Sequence, residues 1–144
     1  MCIRDRDEDG KEFEKRASCI ADQYSEYTVA GGVHLSGRLT LGENTADNGG
    51  LRIAHMALQE TLKGQSVPLK DGFTPEQRLF LGWGQVWCAS YRPELARLRA
   101  QTDPHSLPRF RVNGVVSNMP EFQKTFACPA TSPMVRGDKA CRVW

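Results

Sequence analysis

Residues 42–51 read Gly-Glu-Asn-Thr-Ala-Asp-Asn-Gly-Gly-Leu and open the strongest helical pattern inside the chain. Apolar side chains recur at helical spacing through residues 45–63, which predicts a helix with a broad apolar face that ends at Gly64. Gly49 and Gly50 lie inside this pattern, where each costs about 1 kcal/mol relative to alanine. The two glycines therefore indicate that another backbone or helix approaches closely at this point.

Two acidic residues in the same stretch have a spacing that suits a cation-binding site. Glu43 and Asp47 are four residues apart, so at a helix start their carboxylates project from one face about one turn apart. One carboxylate can then bind a cation while the other orients a neighbouring ligand. The simpler interpretation is that acidic residues favour a helix N-terminus because of the helix dipole. The spacing alone leaves both interpretations open.

The rest of the chain shows mostly helical patterns. Thr74, Pro75 and Gln77 form a capping-box pattern that predicts a helix start, and Pro93 limits this helix to about Tyr91. Further helices are predicted for residues 11–27, 93–100 and 118–126, and loops or short extended segments for residues 29–42, 102–108 and 109–116. These patterns are typical of a mainly α fold.

Length and composition limit the chain to one domain or part of one. Its 144 residues are 40% hydrophobic and 25% charged, with a formal net charge of +2. Because the charge is spread along the chain, it implies neither a nucleic-acid partner nor an acidic membrane surface. The apolar stretches are far shorter than the roughly 20 residues that cross a bilayer. Residues 1–10 are charged, unlike a secretion signal, so we expect no membrane segment or signal in this chain.

The five cysteines form no C-x-x-C pair, which argues against a zinc ribbon or a thioredoxin-like site. A disulfide framework is the better interpretation, and it indicates an oxidising compartment. Residues 1–6 resemble translated adaptor sequence, and we set them aside as foreign or unstructured. This removes Cys2 and leaves four cysteines for the framework.

Several motifs of this sequence occur together, in the same order, in one enzyme family. They are the 42–51 segment, Gln-Val-Trp-Cys at 85–88, Tyr-Arg-Pro-Glu at 91–94, Asp-x-His-Ser at 103–106, Phe-Arg at 110–111 and Cys-Arg-Val-Trp at 141–144. On these motifs the chain resembles the C-terminal portion of neprilysin-like zinc metallopeptidases of the gluzincin type, from about Asp9 to Trp144. The resemblance implies that residues 7–144 form the C-terminal helical subdomain of a zincin-type catalytic domain, with short extended segments. Such a subdomain is incomplete without an upstream H-E-x-x-H part.

The resemblance implies one zinc ion and assigns one of its ligands to this chain. In the family, two histidines and a general-base glutamate lie on the H-E-x-x-H helix, and a glutamate from a later helix completes the site. That later glutamate corresponds to Glu43. A carboxylate is a suitable oxygen ligand for zinc, and three protein ligands leave one position open for an activated water. Asp47 would accept the second ring N–H of a zinc-binding histidine and so fix its tautomer.

Two further residues match family positions that act on the substrate. His105 corresponds to the transition-state residue, which donates a hydrogen bond to the oxyanion formed at the peptide carbonyl. Arg111 corresponds to the arginine that binds a substrate backbone carbonyl just beyond the scissile bond. Asp103 could help to hold either side chain. Without the resemblance, His105 would be a surface loop histidine and Arg111 an arginine at a strand end.

The resemblance also implies a substrate pocket. Trp87 and Val112 correspond to positions that line the pocket for the residue after the cleaved bond, although such residues are equally typical of a core. His34 and His55 match no catalytic position. We expect His34 in a loop and His55 at a helix surface or edge.

The cysteines fit the same resemblance. It pairs Cys19 with Cys141 inside this chain, and it implies that Cys88 and Cys128 form disulfides with cysteines of an upstream segment. We therefore expect the complete protein outside the cytoplasm, as a secreted, periplasmic or cell-surface enzyme.

The sequence contains three histidines and no H-E-x-x-H motif, so it lacks two zinc ligands and the general base. We expect this chain alone to be inactive, and the complete protein to hydrolyse oligopeptides by metal-activated water once the missing N-terminal part is present. An alternative of another class is a non-catalytic helical module that binds a partner, with Glu43 and Asp47 serving only as a helix start. Weak zinc binding through Glu43 and His105 is a third interpretation, but one carboxylate and one loop imidazole make a poor site.

Overall fold

The computed structural model describes residues 6–144, and this part of the chain is mainly helical. Its helices are α1 (Asp7–Ser25), α2 (Leu41–Leu62), α3 (Pro75–Val86), α4 (Pro93–Thr102), α5 (Pro108–Val116), α6 (Pro120–Thr125) and a 3-10 helix at Gly137–Lys139. The described residues contain no regular β-strand and show two isolated bridges, Thr28 with His34 and Lys70 with Phe73. The predicted mainly α class is therefore confirmed. Of the segment that we set aside as foreign, residues 1–5 lie outside the described residues.

One compact unit consists of residues 6–45, 91–107 and 141–144. On α1 it buries Ala17, Ile20 and Tyr24, which follow the three- and four-residue spacing of the sequence. This apolar face is the reason why the segment folds as a helix against the unit's core.

Residues 141–144 are bound to α1 within the same unit. Cys141 forms a disulfide with Cys19, and the Arg16 guanidinium donates a hydrogen bond of 3.0 Å to the Val143 carbonyl. Trp144 stacks on Phe13, with ring centroids 6.4 Å apart. A covalent bond, a hydrogen bond and a ring contact therefore hold residues 141–144 to one helix.

The second compact unit consists of residues 46–90 and 108–140. Its buried core comprises Leu51, Phe80, Val115, Val116 and Met119. The Phe80 ring packs edge-on against Phe122 at 5.3 Å and is stacked by His55 at 5.8 Å. We expected His55 at a helix surface or edge, but it is only 8% exposed because its ring covers Phe80.

Helix α2 begins at Leu41, earlier than the predicted start at Thr45, so Glu43 lies in its first turn. Gly50 is exposed, and no described atom would lie within 4 Å of a Cβ at this position. Gly50 therefore makes no such close approach to the described residues, whereas Gly49 is buried. Ile53 on the predicted apolar face and its helical neighbour Met56 are 61% and 63% exposed. This side of α2 presents apolar surface to solvent.

Helix α3 begins as the sequence predicts. Thr74 Oγ1 accepts the Gln77 backbone N–H at 3.2 Å, and Gln77 Oε1 accepts the Thr74 backbone N–H at 2.9 Å. The predicted capping box is therefore present, although the helix ends at Val86, several residues before Tyr91. Among residues 6–144, no helix is both long and apolar enough to cross a membrane.

The prediction of an extended segment for residues 109–116 is wrong, because these residues form α5. Proline is tolerated in the first turn of a helix, where its missing N–H is not needed, and Pro108 occupies that place. Phe110, Gly114 and Val115 are buried at helical spacing, whereas Val112 is only half-buried. Arg111 therefore projects from a helix and not from the end of a strand.

Candidate active site

Two of the predicted site residues meet in the first unit. The carboxylate oxygen Glu43 Oε2 lies 3.3 Å from His105 Nε2. Glu43 belongs to the first turn of α2, and His105 lies in the loop between α4 and α5. The two side chains are 42% and 43% exposed, so both are accessible to a ligand from solvent. An accessible carboxylate beside an accessible imidazole can bind a cation and donate a hydrogen bond at one place.

Asp103 contacts the other edge of the His105 ring. Asp103 Oδ1 lies 2.9 Å from His105 Nδ1 and also accepts the His105 backbone N–H at 2.9 Å. Arg99 pairs with Asp103 Oδ2 at 2.6 Å. The pKa of Asp103 lies below its ordinary value, first of all because the carboxylate accepts the His105 backbone N–H. A carboxylate at Nδ1 favours the ring form that carries a hydrogen on that nitrogen.

A buried chain of hydrogen bonds lies directly beside this pair. Ser106 Oγ donates to Asn44 Oδ1 at 2.8 Å, and Asn44 Nδ2 donates to Thr40 Oγ1 at 2.9 Å. Thr40 Oγ1 in turn donates to the Ser36 carbonyl at 3.0 Å. Sequence reasoning included Asn44 and Ser106 in the quoted motifs but gave them no role. The only signal was that each directly follows a predicted site residue.

The second unit brings Asp47 and Arg111 together. Arg111 Nε donates to Asp47 Oδ2 at 2.6 Å, and Arg111 Nη2 donates to Asp47 Oδ1 at 2.7 Å. The side chains are 10% and 8% exposed, so this two-point pair is mostly removed from water. Two parallel N–H···O bonds fix the plane of the guanidinium as well as its position.

Two tryptophans complete the surroundings of Arg111. Its guanidinium carbon lies 3.8 Å from the ring centroid of Trp87, a close cation–π contact. The Trp83 indole N–H donates to the Arg111 carbonyl at 3.2 Å, so the backbone is held as well as the side chain. Nothing in the sequence analysis indicated this contact of Trp83. Val112 follows Arg111 on α5 and is half-buried.

The geometry thus groups the predicted residues into Glu43 with His105 in one unit and Asp47 with Arg111 and Trp87 in the other. Within residues 6–144, no group of three or more His, Cys, Asp or Glu side chains is arranged to hold a metal ion. The half-exposed Glu43 carboxylate has the chemistry of a zinc ligand.

The structure contains the Cys19–Cys141 disulfide, the pair that the resemblance implies. Cys88 and Cys128 are free cysteines, the first exposed and the second half-buried. The exposed Cys88 thiol directly follows Trp87 and is accessible to another thiol.

The comparison with known families identifies the class of the protein. The model of Peptidase family M13 matches residues 3–143, and the chain belongs to this family. The resemblance to neprilysin-like zinc metallopeptidases is therefore confirmed.

Individual relatives agree with this assignment. Human endothelin-converting enzyme 1 is 46% identical over 136 residues, and neprilysin-1 of Caenorhabditis elegans is 44% identical over 138 residues. Each alignment covers 92% of this chain but only 17% and 18% of the relative, so the chain spans less than a fifth of these proteins.

Solved structures show the same fold. The zinc metalloprotease ZMP1 of Mycobacterium tuberculosis, solved in complex with an inhibitor, superposes with a TM-score of 0.91 at 38% identity. PepO of Lactobacillus rhamnosis superposes with a TM-score of 0.80 at 29% identity. Both alignments cover 96% of this chain, and they cover 22% and 21% of the two structures. The helices of this chain therefore correspond to a limited part of a larger metallopeptidase fold.

Proposed function

We propose that the chain is the C-terminal part of the catalytic domain of a zinc metalloendopeptidase that hydrolyses oligopeptides, and that it is inactive on its own. Membership of Peptidase family M13 supports the activity. The chain's 18% share of its relatives' length supports its role as one part of a domain. The sequence contains no H-E-x-x-H motif, so the general base and the other two protein ligands come from elsewhere in the polypeptide.

The contact between Glu43 and His105 carries this proposal. These residues are distant in sequence, yet the carboxylate and the ring lie 3.3 Å apart with both side chains open to solvent. In the proposed enzyme Glu43 is the third protein ligand of zinc. Zinc in such a site supplies Lewis-acid activation of water and of the peptide carbonyl.

His105 stabilises the charge that develops on the peptide oxygen. Asp103 contacts the Nδ1 side of the ring at 2.9 Å, which leaves Nε2 as the nitrogen available to the substrate. Nε2, which lies 3.3 Å from Glu43 Oε2, would be the nitrogen that donates to the oxyanion. Because Asp103 orients the ring before the reaction, the donor needs little rearrangement during it.

Arg111 holds the substrate backbone by donating to the carbonyl after the scissile bond. Asp47 and Trp87 fix its guanidinium, one through two hydrogen bonds and the other through its ring face. A carboxylate has about four lone-pair sites, and Arg111 uses two at Asp47. Asp47 therefore also has the capacity to accept the ring N–H of a zinc-binding histidine. Trp87 and Val112 line the pocket for the apolar side chain that follows the cleaved bond.

The compartment follows from the disulfide. Cys19–Cys141 persists in an oxidising environment, which supports a location outside the cytoplasm. The partners of the chain are peptide substrates and the remaining part of the same polypeptide, which also supplies partner cysteines for Cys88 and Cys128.

Matched glutamate variants test the ligand assignment in the full-length peptidase that carries this region. Glu43→Ala should abolish zinc retention and peptide cleavage together, as measured by metal analysis and a fluorogenic peptide. Glu60→Ala is the control, because Glu60 is an exposed residue of the same helix that pairs with Lys63 at 3.4 Å. It should leave both properties unchanged. Full zinc content and activity in Glu43→Ala would refute the assignment.

The 144-residue chain tests the proposed inactivity. Zinc titration of this chain should reveal no tight one-to-one site, and the same peptide should remain uncleaved. Cleavage on addition of one equivalent of zinc would contradict the proposal. A full-length protein that neither retains zinc nor cleaves peptides would favour the helical binding module.

A further inference from the structure

Two consecutive residue pairs from distant parts of the chain face each other in the first unit. Glu43 and Asn44 are neighbours in α2, and His105 and Ser106 are neighbours in the loop before α5. Glu43 contacts His105 at 3.3 Å, while Asn44 accepts from Ser106 at 2.8 Å. The first contact is open to solvent. The second is buried, with Asn44 0% and Ser106 2% exposed.

The buried contact continues into a directional chain of hydrogen bonds. The Ser106 hydroxyl donates to Asn44, the Asn44 amide donates to Thr40, and the Thr40 hydroxyl donates to the backbone carbonyl of Ser36. Each bond uses a donor of one group and an acceptor of the next. A buried network that is satisfied in this way specifies one arrangement, because breaking any bond leaves a polar group without its partner.

The bonds to Asp103 and the bond between Ser106 and Asn44 constrain the position of His105 in different ways. Asp103 is two residues from His105, so its bonds orient the ring relative to the loop that carries it. They cannot fix the position of that loop relative to α2. The Ser106–Asn44 bond joins residues 62 apart in sequence, and it joins the loop to the first turn of the helix that bears Glu43.

We infer that Asn44 and Ser106 are positioning residues, whose buried hydrogen bond sets the separation between the Glu43 carboxylate and the His105 imidazole. This inference rests on the proposed function, in which Glu43 binds zinc and His105 stabilises the transition state. Glu43 and His105 perform the chemistry, and the buried bond between Asn44 and Ser106 determines the distance between them. A misplacement of about 1 Å can reduce catalysis about 100-fold, so this task is demanding.

The main test is Ser106→Ala in the full-length peptidase that carries this region. The variant should lower kcat by about 10- to 100-fold and change KM less than about twofold, because His105 acts in the transition state. In a His105→Ala background, the same substitution should lower kcat no further. An unchanged kcat in the single variant, or the same fold-loss in both backgrounds, would overturn the inference.

A double replacement separates positioning from stability. Asn44→Leu with Ser106→Ala removes both polar groups of this bond, so the thermal midpoint should recover part of what Ser106→Ala alone loses; the rest stays lost because Thr40 Oγ1 no longer accepts from Asn44. The kcat should stay low, because the link between loop and helix is still absent. Recovery of kcat together with the midpoint would show that the pair only stabilises the fold, and would overturn the inference.

Hydrogen exchange gives a readout that does not depend on activity. Ser106→Ala should accelerate amide exchange in the loop 103–107 without accelerating it in α1. Ser117→Ala is the matched control, since Ser117 is also a buried serine and donates to the Gly114 carbonyl at 3.1 Å in the other unit. It should change neither loop exchange nor kcat. Equal loop exchange in the Ser106 variant and the original protein would contradict a positioning role.

Failure of the proposed function and failure of the positioning role give different results. If His105→Ala retains full kcat, the proposed role of His105 fails and the proposed function must be revised. If His105→Ala is strongly impaired but Ser106→Ala is not, only the positioning role of Ser106 is overturned.

Discussion

Asp47 and Arg111 form a two-point ion pair that joins residues 64 apart in sequence. The pair links α2 to α5 inside the second unit, with both side chains mostly buried. An ion pair in this setting is costly to break from one side, because the remaining charge stays buried. It therefore serves the stability of the unit as well as the proposed binding of substrate.

The first prediction concerns the removal of one partner of this pair. Arg111→Ala should lower the free energy of unfolding by about 3–5 kcal/mol, since it leaves the Asp47 carboxylate buried without its partner. Urea denaturation of the chain measures this loss. Arg109→Ala is the control, because Arg109 is an exposed residue of the same helix, and it should cost no more than about 1 kcal/mol. Equal losses in the two variants would contradict the prediction.

The second prediction concerns the disulfide between Cys19 and Cys141. The bond joins residues 122 positions apart. Replacing both cysteines by serine should lower the free energy of unfolding by about 4–5 kcal/mol through the larger entropy of the unfolded chain. The free energy of unfolding is measured by denaturation with and without reductant. The original protein should match the variant in reductant and should be more stable than the variant without it. Cys88→Ser, at an exposed free cysteine, should behave like the original protein in both conditions.

The third prediction compares two glycines. A Cβ at Gly37 would collide with the Ala21 carbonyl oxygen and the Ser25 hydroxyl, so Gly37→Ala should destabilise the chain by about 1–3 kcal/mol or more. A Cβ at Gly50 meets nothing within 4 Å, so Gly50→Ala should stabilise α2 by about 1 kcal/mol. Thermal unfolding of the two variants checks these opposite signs. A lower midpoint for Gly50→Ala would show that a side chain is not accommodated there.

The fourth prediction concerns pH. The folded-state pKa of Asp103 is lowered, chiefly because its carboxylate accepts the His105 backbone N–H. Its stabilising effect is therefore complete above the ordinary aspartate pKa of about 3.9 and is lost as the pH falls through the lower folded-state pKa. Asp103→Asn should reduce stability at neutral pH, and its difference from the original protein should shrink below about pH 4.

Denaturant titrations at several pH values check this dependence. Asp138→Asn is a suitable control, because Asp138 is exposed in the 3-10 helix and its replacement should matter little at any of these pH values. A constant difference between Asp103→Asn and the original protein from neutral to acid pH would contradict the prediction.

Local signals in the sequence predicted most of the helices. The capping box of Thr74 and Gln77 depends only on residues three positions apart, and it formed as predicted. The apolar spacing of α1 likewise included Ala17, Ile20 and Tyr24, which are buried, but it did not indicate the buried Gln23. Helix α5 was mispredicted because its short sequence contains an alternation of Phe110 and Val112 that imitates a strand, while burial from several sides decides its actual form.

The candidate site was predictable only in part. The resemblance assigned site roles to Glu43, Asp47, His105 and Arg111, but nothing local indicated which of them would contact each other. The bond between Asn44 and Ser106 and the contact of Trp83 with the Arg111 carbonyl join residues far apart in sequence. Asn118 is a similar case. We predicted that it starts the last helix, but this helix begins at Pro120. The Asn118 amide instead donates to Asn48 Oδ1 at 3.0 Å, a residue 70 positions away.

The attachment of residues 141–144 to α1 also has a consequence for biosynthesis. Cys19 leaves the ribosome 122 residues before Cys141, an interval of about 6–24 s at about 5–20 residues per second. During this time the thiols of Cys88 and Cys128 emerge first and compete for Cys19. Correct pairing in the nascent protein therefore depends on keeping Cys19 reduced, or on reshuffling an early wrong bond, until Cys141 has emerged.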